Sequence, residues 1–257
     1  MHILRDADDN EGLAYYVAVS GLLGAWSGAE VELSYDGGAN YIDGASTDVA
    51  AVIGELTQIL PDHPQAFPDE EHTVQVRIHT PFAELETTDF AGLLNRRNLA
   101  ALGTGNELEI IQFMEAEPID DDGLWELSYF IRGRKGSATQ QWPVGTPFTL
   151  LEPAAITLIP ASLTDIGRTL TFRATSVGTS PEDGTVVSMV FIGGTQIERE
   201  VGYLAARREG SDAIVSWQGI GRIGSGASVA HGARFTGYRV TFDDGGTAPL
   251  VVNTSAQ

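Results

Sequence analysis

Alternating apolar and polar positions dominate this chain and predict β-strands. The clearest run is His72–His79, in which Val74, Val76 and Ile78 fall on one face of the predicted strand. Similar runs recur along the whole length, so the pattern predicts many short strands. The further strand candidates are Leu13–Ser20, Glu30–Tyr35, Glu107–Glu115, Trp125–Arg132, Phe148–Leu151, Ala155–Ile159, Thr169–Ser176, Val186–Ile192, Ala213–Trp217, Gly237–Phe242 and Pro249–Asn253.

Glycine-containing turn signals separate these runs. They begin at Asp36, Asp122, Asp183, Gly193 and Asp244, each of which precedes a glycine. Such pairs favour tight turns with positive φ, which join antiparallel strands. Because 30 glycines are spread among many short strands, we expect a mainly β protein built of antiparallel sandwich or barrel domains.

One segment favours a helix. Asp89 can cap a short helix that continues through Phe90 and Leu94 and ends before Gly103. Ala50–Leu60 is ambiguous, because its apolar residues lie near helical spacing but a glycine interrupts them. A strand is favoured there, and the predicted fold has at most one short helix.

Two β domains are expected, with a boundary where the strand pattern restarts. The first spans 1–153 and carries a basic loop at 132–137, and the second spans 154–257. Asp212–Asn253 is similar to the early strands of a fibronectin type III sandwich but is too short for all of its strands. We therefore hypothesise that the terminal strands complete a sheet with the preceding segment or with a neighbouring subunit. Gly219–Gly232 has the composition of a mobile loop.

The net charge of the chain limits the classes of molecule that it is expected to bind. A formal net charge of −20 over 257 residues repels nucleic-acid phosphates and anionic membrane surfaces. Two interpretations stay open: the charge provides solubility alone, or it complements a basic neighbouring subunit. No apolar run reaches the roughly 18 residues that span a membrane, Met1–Gly12 shows no secretory signal, and cysteine is absent. We expect no nucleic-acid partner and no membrane insertion.

Enzyme and cofactor motifs are missing from the sequence. It contains no phosphate-binding loop, no His-Glu-x-x-His and no Gly-x-Ser-x-Gly. His72 and His79 fall on opposite faces of their predicted strand, so a shared metal is not expected. Asp6–Asn10 begins like a calcium loop, but Glu11 stands where that loop needs glycine. Asp120–Asp122 is typical of a hairpin tip. We predict no enzyme activity, no cofactor and no metal site.

Four tryptophans fall into two groups. Trp125 and Trp217 lie inside strand patterns, which favours packing in a core. Trp26 and Trp142 lie beside predicted loops, which makes them candidate surface contacts for a sugar or another protein.

The concentrated basic residues lie in one loop. Arg132 ends a predicted strand, and Arg134 and Lys135 follow it between two glycines. In so acidic a chain, these cations are candidate contacts to an acidic surface of another subunit or of the chain itself.

Several segments resemble the C-terminal region of the tail hub, or baseplate, proteins of siphophages and gene transfer agents. Leu127–Ser137, with its Arg-Gly-Arg-Lys-Gly-Ser end, is similar to that family's Leu-Ser-x-Leu-Leu-Arg-Gly-Arg-x-Gly-Thr. Gly21–Tyr41 resembles its tryptophan, strand and Asp-Gly-Gly element, and Ala51–Gly54 its Ala-x-Ile-Gly step. Asp89–Leu102 followed by Glu107–Glu115 is similar to the segment before its Gln-Phe strand. The arginines that usually follow the strand at Ile214–Trp217 are represented in this chain by Arg222 alone.

The resemblance implies a bacteriophage structural protein that is made in the host cytoplasm and resides in the virion, at the viral tail tip. It also implies a homotrimer that contacts other tail or baseplate proteins, with contact to the host surface as a further expectation. Full-length members carry large N-terminal domains, so the chain is expected to be either a separate gene product or a distal segment of a larger protein. The alternative function is a receptor-binding or glycan-binding adhesin at the tail tip.

Overall fold

The computed structural model describes residues 13–21, 24, 26–65, 67–194, 202–210, 212–218, 236–242 and 250–254. The chain divides into two compact units, Met1–Thr195 and Gln196–Gln257. The predicted fold class is confirmed, since nearly all regular structure is antiparallel β. The mobile-loop prediction for Gly219–Gly232 and the calcium-like segment Asp6–Asn10 lie outside the described residues, as does Arg222.

Short strands make up most of the regular structure in the described chain. The strands are β1 Leu13–Ala18, β2 Ala29–Ser34, β3 Ile42–Thr47, β4 Ile53–Leu56, β5 Asp69–Ile78, β6 Leu99–Thr104, β7 Glu107–Pro118, β8 Leu124–Ile131, β9 Pro147–Leu150, β10 Ile156–Ala161, β11 Thr169–Ser176, β12 Thr185–Val190, β13 Gly202–Glu209, β14 Asp212–Gln218, β15 Tyr238–Phe242 and β16 Leu250–Thr254. Helix α1 is Phe90–Leu94, and 3₁₀ turns lie at Arg134–Gly136, Leu163–Asp165 and Pro181–Asp183.

Six strands of the first unit close into a barrel in the order β4-β5-β8-β7-β6-β9. The alternation in β5 behaves as predicted, because Val74, Val76 and Ile78 are buried. They pack with apolar side chains from the other barrel strands, so the interior is a filled core. Closure also removes the exposed edges that an open sheet would present to solvent.

The strands before and after the barrel form two further sheets. One has four strands in the order β12-β11-β2-β3, and the other pairs β1 with β10. Tyr15 of β1 packs edge-on against Phe172 of β11 and also contacts Phe191, with ring centroids 5.4 and 4.5 Å away. These aromatic contacts join the two sheets in a second hydrophobic core.

The pairing of these outer strands bears on the domain organisation. Strand β10 pairs with β1, and β11 pairs with β2, so strands on both sides of residue 153 share the same sheets. The barrel is therefore an insertion between β3 and β10. A third apolar cluster, formed by Leu99, Ile110 and Ile156, packs the outer face of the barrel against β10. The structure thus places the change of unit at residue 195.

In the described residues of the second unit, β13 pairs with β14 and β15 pairs with β16, both antiparallel. Trp217 of β14 and Tyr238 of β15 meet edge to face with ring centroids 5.3 Å apart. The terminal strands thus pair within the described chain, and completion of a sheet with a neighbouring subunit stays a prediction.

Helix α1 begins as predicted. The Asp89 side chain accepts a 2.7 Å hydrogen bond from the Gly92 N–H, which satisfies one of the unpaired donors of the first turn. Gln112 of β7 donates to the carbonyls of Leu93 and Arg97, which fixes the helix end to the barrel. Within the described ranges, no helix is long and apolar enough to cross a membrane.

The turn between β2 and β3 is organised by Asp36. Its carboxylate accepts hydrogen bonds from the Ser34 hydroxyl at 2.7 Å, the Asn40 N–H at 2.9 Å and the Asn40 side-chain amide at 2.7 Å. Gly37 and Gly38 follow with φ values of +76° and +93°. The hydrogen bonds, led by that from the Asn40 side chain, lower the pKa of Asp36 to about 2.

Gly54 lets strands β4 and β5 approach closely. A Cβ at this position would collide with the Arg77 carbonyl oxygen. We expect Gly54→Ala to lower the free energy of unfolding of the first unit by about 1–3 kcal/mol, because the neighbouring strand must shift. Glu55→Ala is the matched control: Glu55 follows Gly54 in β4, its side chain is 49% exposed, and its removal should change stability by no more than about 0.5 kcal/mol. Denaturant unfolding followed by tryptophan fluorescence measures both, and an unchanged stability of Gly54→Ala would contradict this account.

The pKa of Asp36 predicts a pH-dependent contribution to stability. Because the folded-state pKa lies below the ordinary value of 3.8, the contribution is complete above that value and is lost as the pH falls through about 2. We expect the stability difference between the wild type and Asp36→Asn to shrink as the pH falls from about 4 to about 2. An NMR titration of the Asp36 carboxyl carbon measures this pKa directly. A midpoint near the ordinary value of 3.8 would contradict the lowered pKa.

A buried charge network at one end of the barrel

Arg132 lies inside the protein, directly after β8, and is 2% exposed. Its Nε donates to Glu109 Oε1 at 2.7 Å and its Nη2 donates to Oε2 at 2.8 Å, which makes a two-pronged ion pair. Further guanidinium hydrogens go to the carbonyl oxygens of Pro61 and Gln140, both at 2.8 Å. The planar fork of arginine suits this geometry, because a buried guanidinium must find acceptors for several donors in fixed directions.

Glu109 is fully buried in β7 and collects four donors. Besides the two bonds from Arg132, Oε1 accepts the Gly133 N–H at 3.0 Å and Oε2 accepts the Trp142 indole N–H at 2.7 Å. Each carboxylate oxygen therefore has two hydrogen bonds, which offsets the loss of water around the charge.

Asp69 adds a second buried carboxylate at the start of β5. Its Oδ2 lies 3.7 Å from Arg132 Nη1, and its Oδ1 accepts the backbone N–H groups of Glu71 and His72 at 3.3 and 3.1 Å. The His72 ring also bonds to it, with Nδ1 at 2.9 Å from Oδ1. Two carboxylates thus surround one guanidinium, and Asp69 draws most of its hydrogen bonds from the bulge that follows it.

A break in the β5–β8 ladder positions these groups. Between the Asp69–Phe130 and Thr73–Ser128 pairs, β5 has the longer segment. Opposite this bulge, Tyr129 adopts a φ of +56°, which is uncommon for a bulky residue. The extra residues turn the Asp69 carboxylate inward and leave the His72 side chain 28% exposed.

The predicted basic loop divides into two parts in the structure. Arg132 was a candidate subunit contact, and the structure corrects this, because its guanidinium is buried and fully engaged inside the chain. Arg134 and Lys135 lie half-buried in the following 3₁₀ turn. Their role as subunit contacts stays a prediction.

The glycines and serine of this loop have local roles. Gly133 and Gly136 adopt φ values of +61° and +76°. Ser137 closes the turn, since its Oγ donates to the Arg134 carbonyl at 2.9 Å and accepts the Ile110 N–H at 2.8 Å. The Arg-Gly-Arg-Lys-Gly-Ser motif therefore fixes its loop to strand β7 by hydrogen bonds.

The two candidate surface tryptophans differ in how much of each side chain is exposed. Trp142 is 6% exposed, so the expectation of a surface contact is wrong for this residue. Its indole N–H bonds to Glu109, and its ring fills the space above Gly103. Trp26 is half-buried and donates to the Ser176 hydroxyl at 3.2 Å. Of the two, Trp26 alone keeps a partly exposed ring.

The acidic hairpin tip has a structural role. Asp120 Oδ1 accepts the N–H groups of Asp122 and Leu124 at 3.0 and 2.9 Å. These hydrogen bonds, led by that from Leu124 and aided by Arg77, lower the pKa of Asp120. In the described part of the chain, no group of three or more acidic, histidine or cysteine side chains could hold a metal ion.

Sequence reasoning missed Glu109, Asp69 and the contact between His63 and His72. One signal was present for Glu109, which stands between Leu108 and the apolar pair Ile110 and Ile111 without a turn residue beside it. Asp69 gave no comparable signal, because it sits among other acids after a proline-rich loop.

Comparison with known protein families gives a match that covers the barrel. Residues 51–149 match the model of a family described as Rcc01698-like, C-terminal. The matched segment runs from just before β4 to within β9, so it coincides with the six-stranded barrel and contains Arg132, Glu109 and Asp69. It covers less than half of the chain. No curated protein matches the chain.

Removing the buried guanidinium tests the network. We expect Arg132→Met to lower the free energy of unfolding of the first unit by about 3–5 kcal/mol, because Glu109 is left as an uncompensated buried charge. Arg132→Lys should also be destabilised, since an ammonium cannot form the two-pronged pair. Chemical denaturation monitored by tryptophan fluorescence measures these changes.

The matched control is the surface pair of Arg77 and Asp120, which are 3.2 Å apart with about a third of each side chain exposed. Arg77→Met should cost no more than about 1 kcal/mol. Equal losses for Arg77→Met and Arg132→Met would show that the buried network has no special weight.

Proposed function

We propose that this chain is a structural component of a phage or phage-like tail tip or baseplate, where it scaffolds contacts with other virion proteins. The observation that carries the proposal is that three features fall on one segment of the chain. The closed barrel, the family match at 51–149 and the most specific part of the tail-hub resemblance, Leu127–Ser137, all fall on the same segment.

The physical build of the barrel supports a scaffolding role. Its interior is filled by apolar side chains, so it offers a rigid body rather than a lumen. At one end, Arg132 holds the backbone at Pro61 and Gln140, and Glu109 holds Gly133. Loops pinned in this way can present a fixed surface to neighbouring subunits without further ordering on binding.

An exposed sheet edge supports contact with a neighbouring subunit. Strand β12 pairs only with β11 among the described strands, and Val186, Val187 and Val190 are 53, 54 and 43% exposed. The Val190 carbonyl points away from β11, because it accepts a bond from Asn106 at 2.9 Å. In an antiparallel strand the backbone groups alternate, so those of Val186 and Ser188 also point outward. Such an edge suits pairing or packing with another chain.

Charge and further apolar side chains are consistent with the same role. Phe90 and Leu94 lie one turn apart on α1 and are 50 and 66% exposed. Apolar patches of this kind within a polar surface are typical of protein interfaces. The net charge of −20 would orient the chain toward a basic neighbour.

The alternative, an adhesin at the tail tip, has less support. It rested on Trp26 and Trp142 as exposed stacking platforms, and Trp142 is buried. Trp26 is half-buried with its indole N–H engaged. Contact with the host surface and the homotrimeric state stay predictions.

A substitution on the β12 edge tests the proposal. We expect Val186→Lys to reduce incorporation of the chain into particles by at least severalfold, because a charge on the edge blocks apolar packing. Its stability should change by no more than about 0.5 kcal/mol, since the side chain is exposed. The measurement is the amount of the chain in purified particles, determined by quantitative mass spectrometry beside the major tail protein.

Val49→Lys is the matched control, because Val49 is 40% exposed and lies between β3 and β4, outside the β12 edge and outside the loops that Arg132 holds. It should leave incorporation unchanged. Absence of the wild-type chain from mature particles would refute the structural role itself. Normal incorporation of Val186→Lys would refute only the part assigned to the β12 edge.

A further inference from the structure

Two histidines to which the sequence analysis assigned no role meet at the end of the barrel. His63, in the proline-rich loop after Leu60, and His72, in the β5 bulge, place their ring centroids 6.1 Å apart, with the ring planes at 79°. Both side chains are partly exposed. The contact between the two rings cannot be predicted from the sequence, because the residues are nine positions apart and an irregular loop lies between them.

Hydrogen bonds determine which nitrogen of each imidazole ring carries the hydrogen and which keeps a lone pair. His63 Nδ1 lies 3.0 Å from the Pro64 carbonyl oxygen, which can only accept, so Nδ1 carries the hydrogen. His72 Nδ1 lies 2.9 and 3.0 Å from the two oxygens of Asp69 and donates to that carboxylate. In the described structure Nδ1 is thus engaged in both rings, and the neutral form of each presents the lone pair of Nε2.

This arrangement is the one that prepares histidine to bind a metal. Metal-binding imidazoles commonly donate their second nitrogen to a carboxylate or a backbone carbonyl, which fixes the tautomer and the ring direction. Asp69 supplies the carboxylate and Pro64 the carbonyl. Asp69 is itself held by two backbone N–H groups and lies beside Arg132, so the support behind His72 is rigid.

We propose that His63 and His72 bind a divalent transition metal of the Zn²⁺ class through their Nε2 atoms. An ion at about 2.1 Å from each of two imidazole nitrogens holds the ring centroids roughly 5–6 Å apart, close to the observed separation. Imidazole favours Zn²⁺, Cu²⁺ and Ni²⁺ over Ca²⁺ and Mg²⁺, which prefer oxygen. With two protein ligands, the remaining positions are open to water. The site is independent of the tail-tip role proposed above.

Zinc titration of the full-length chain by isothermal calorimetry tests the proposal, with ZnCl₂ as the probe in a buffer that does not chelate. We expect one Zn²⁺-binding event in the wild type that weakens by at least roughly tenfold in His63→Ala and in His72→Ala. CaCl₂ should give no corresponding event. Histidines 2 and 231 remain in every variant, so their contribution is constant.

His79→Ala is the matched control. His79 is a partly exposed histidine with a carboxylate nearby, since its Nε2 lies 3.9 Å from Glu55 Oε1. Binding that is unaffected by this change but lost in His63→Ala supports the pair. Equal weakening in all three variants, or an unchanged isotherm in His63→Ala, would overturn it. His63→Ala leaves every contact of Asp69 in place, so a folding defect of His72→Ala would not remove the test.

Discussion

The ion pair between Arg132 and Glu109 is the constraint on which the barrel end depends. A charge buried in the protein interior is costly unless partners surround it, and each of these two groups needs the other. Their remaining hydrogen bonds extend to Pro61, Gln140 and Trp142. The pair therefore couples β7 and the end of β8 to the loop at Pro61, which is distant in sequence, and to the segment 140–142, which follows β8 closely.

The same network organises what lies at the surface. Asp69 connects it to the β5 bulge, and the bulge carries His72 to the rim beside His63. A rigid interior beneath exposed loops is the arrangement that lets a small β domain present fixed contacts. The scaffold proposed for the barrel and the metal pair inferred at its rim thus share one physical basis, although each can fail without the other.

Local sequence signals predicted many elements well. Period-two alternation located β5, and Asp89 marked the start of α1. Turn signals at Asp36, Asp122 and Asp183 separate β2 from β3, β7 from β8 and β11 from β12. Three strands gave no usable signal. Strand β6 is buried on both faces along most of its length, so Leu99–Leu102 shows no alternation. Strands β3 and β13 are short of large apolar residues or mix charges with alanines, which obscures the period.

By itself, the sequence determined that this chain forms many antiparallel strands joined by glycine turns, because strand period and turn chemistry act over a few neighbouring residues. Only the tertiary structure decided which strands pair, that β10 and β11 return to β1 and β2 around an inserted barrel, and that Arg132 and Trp142 point inward. The reason is that local signals depend on neighbouring residues, whereas burial depends on contacts between distant ones. An arginine in a glycine-rich loop is predicted to be exposed, and only the folded chain brings the carboxylate of Glu109 within bonding distance of it. The local pattern around a residue does not identify a contact partner that lies far away in the chain.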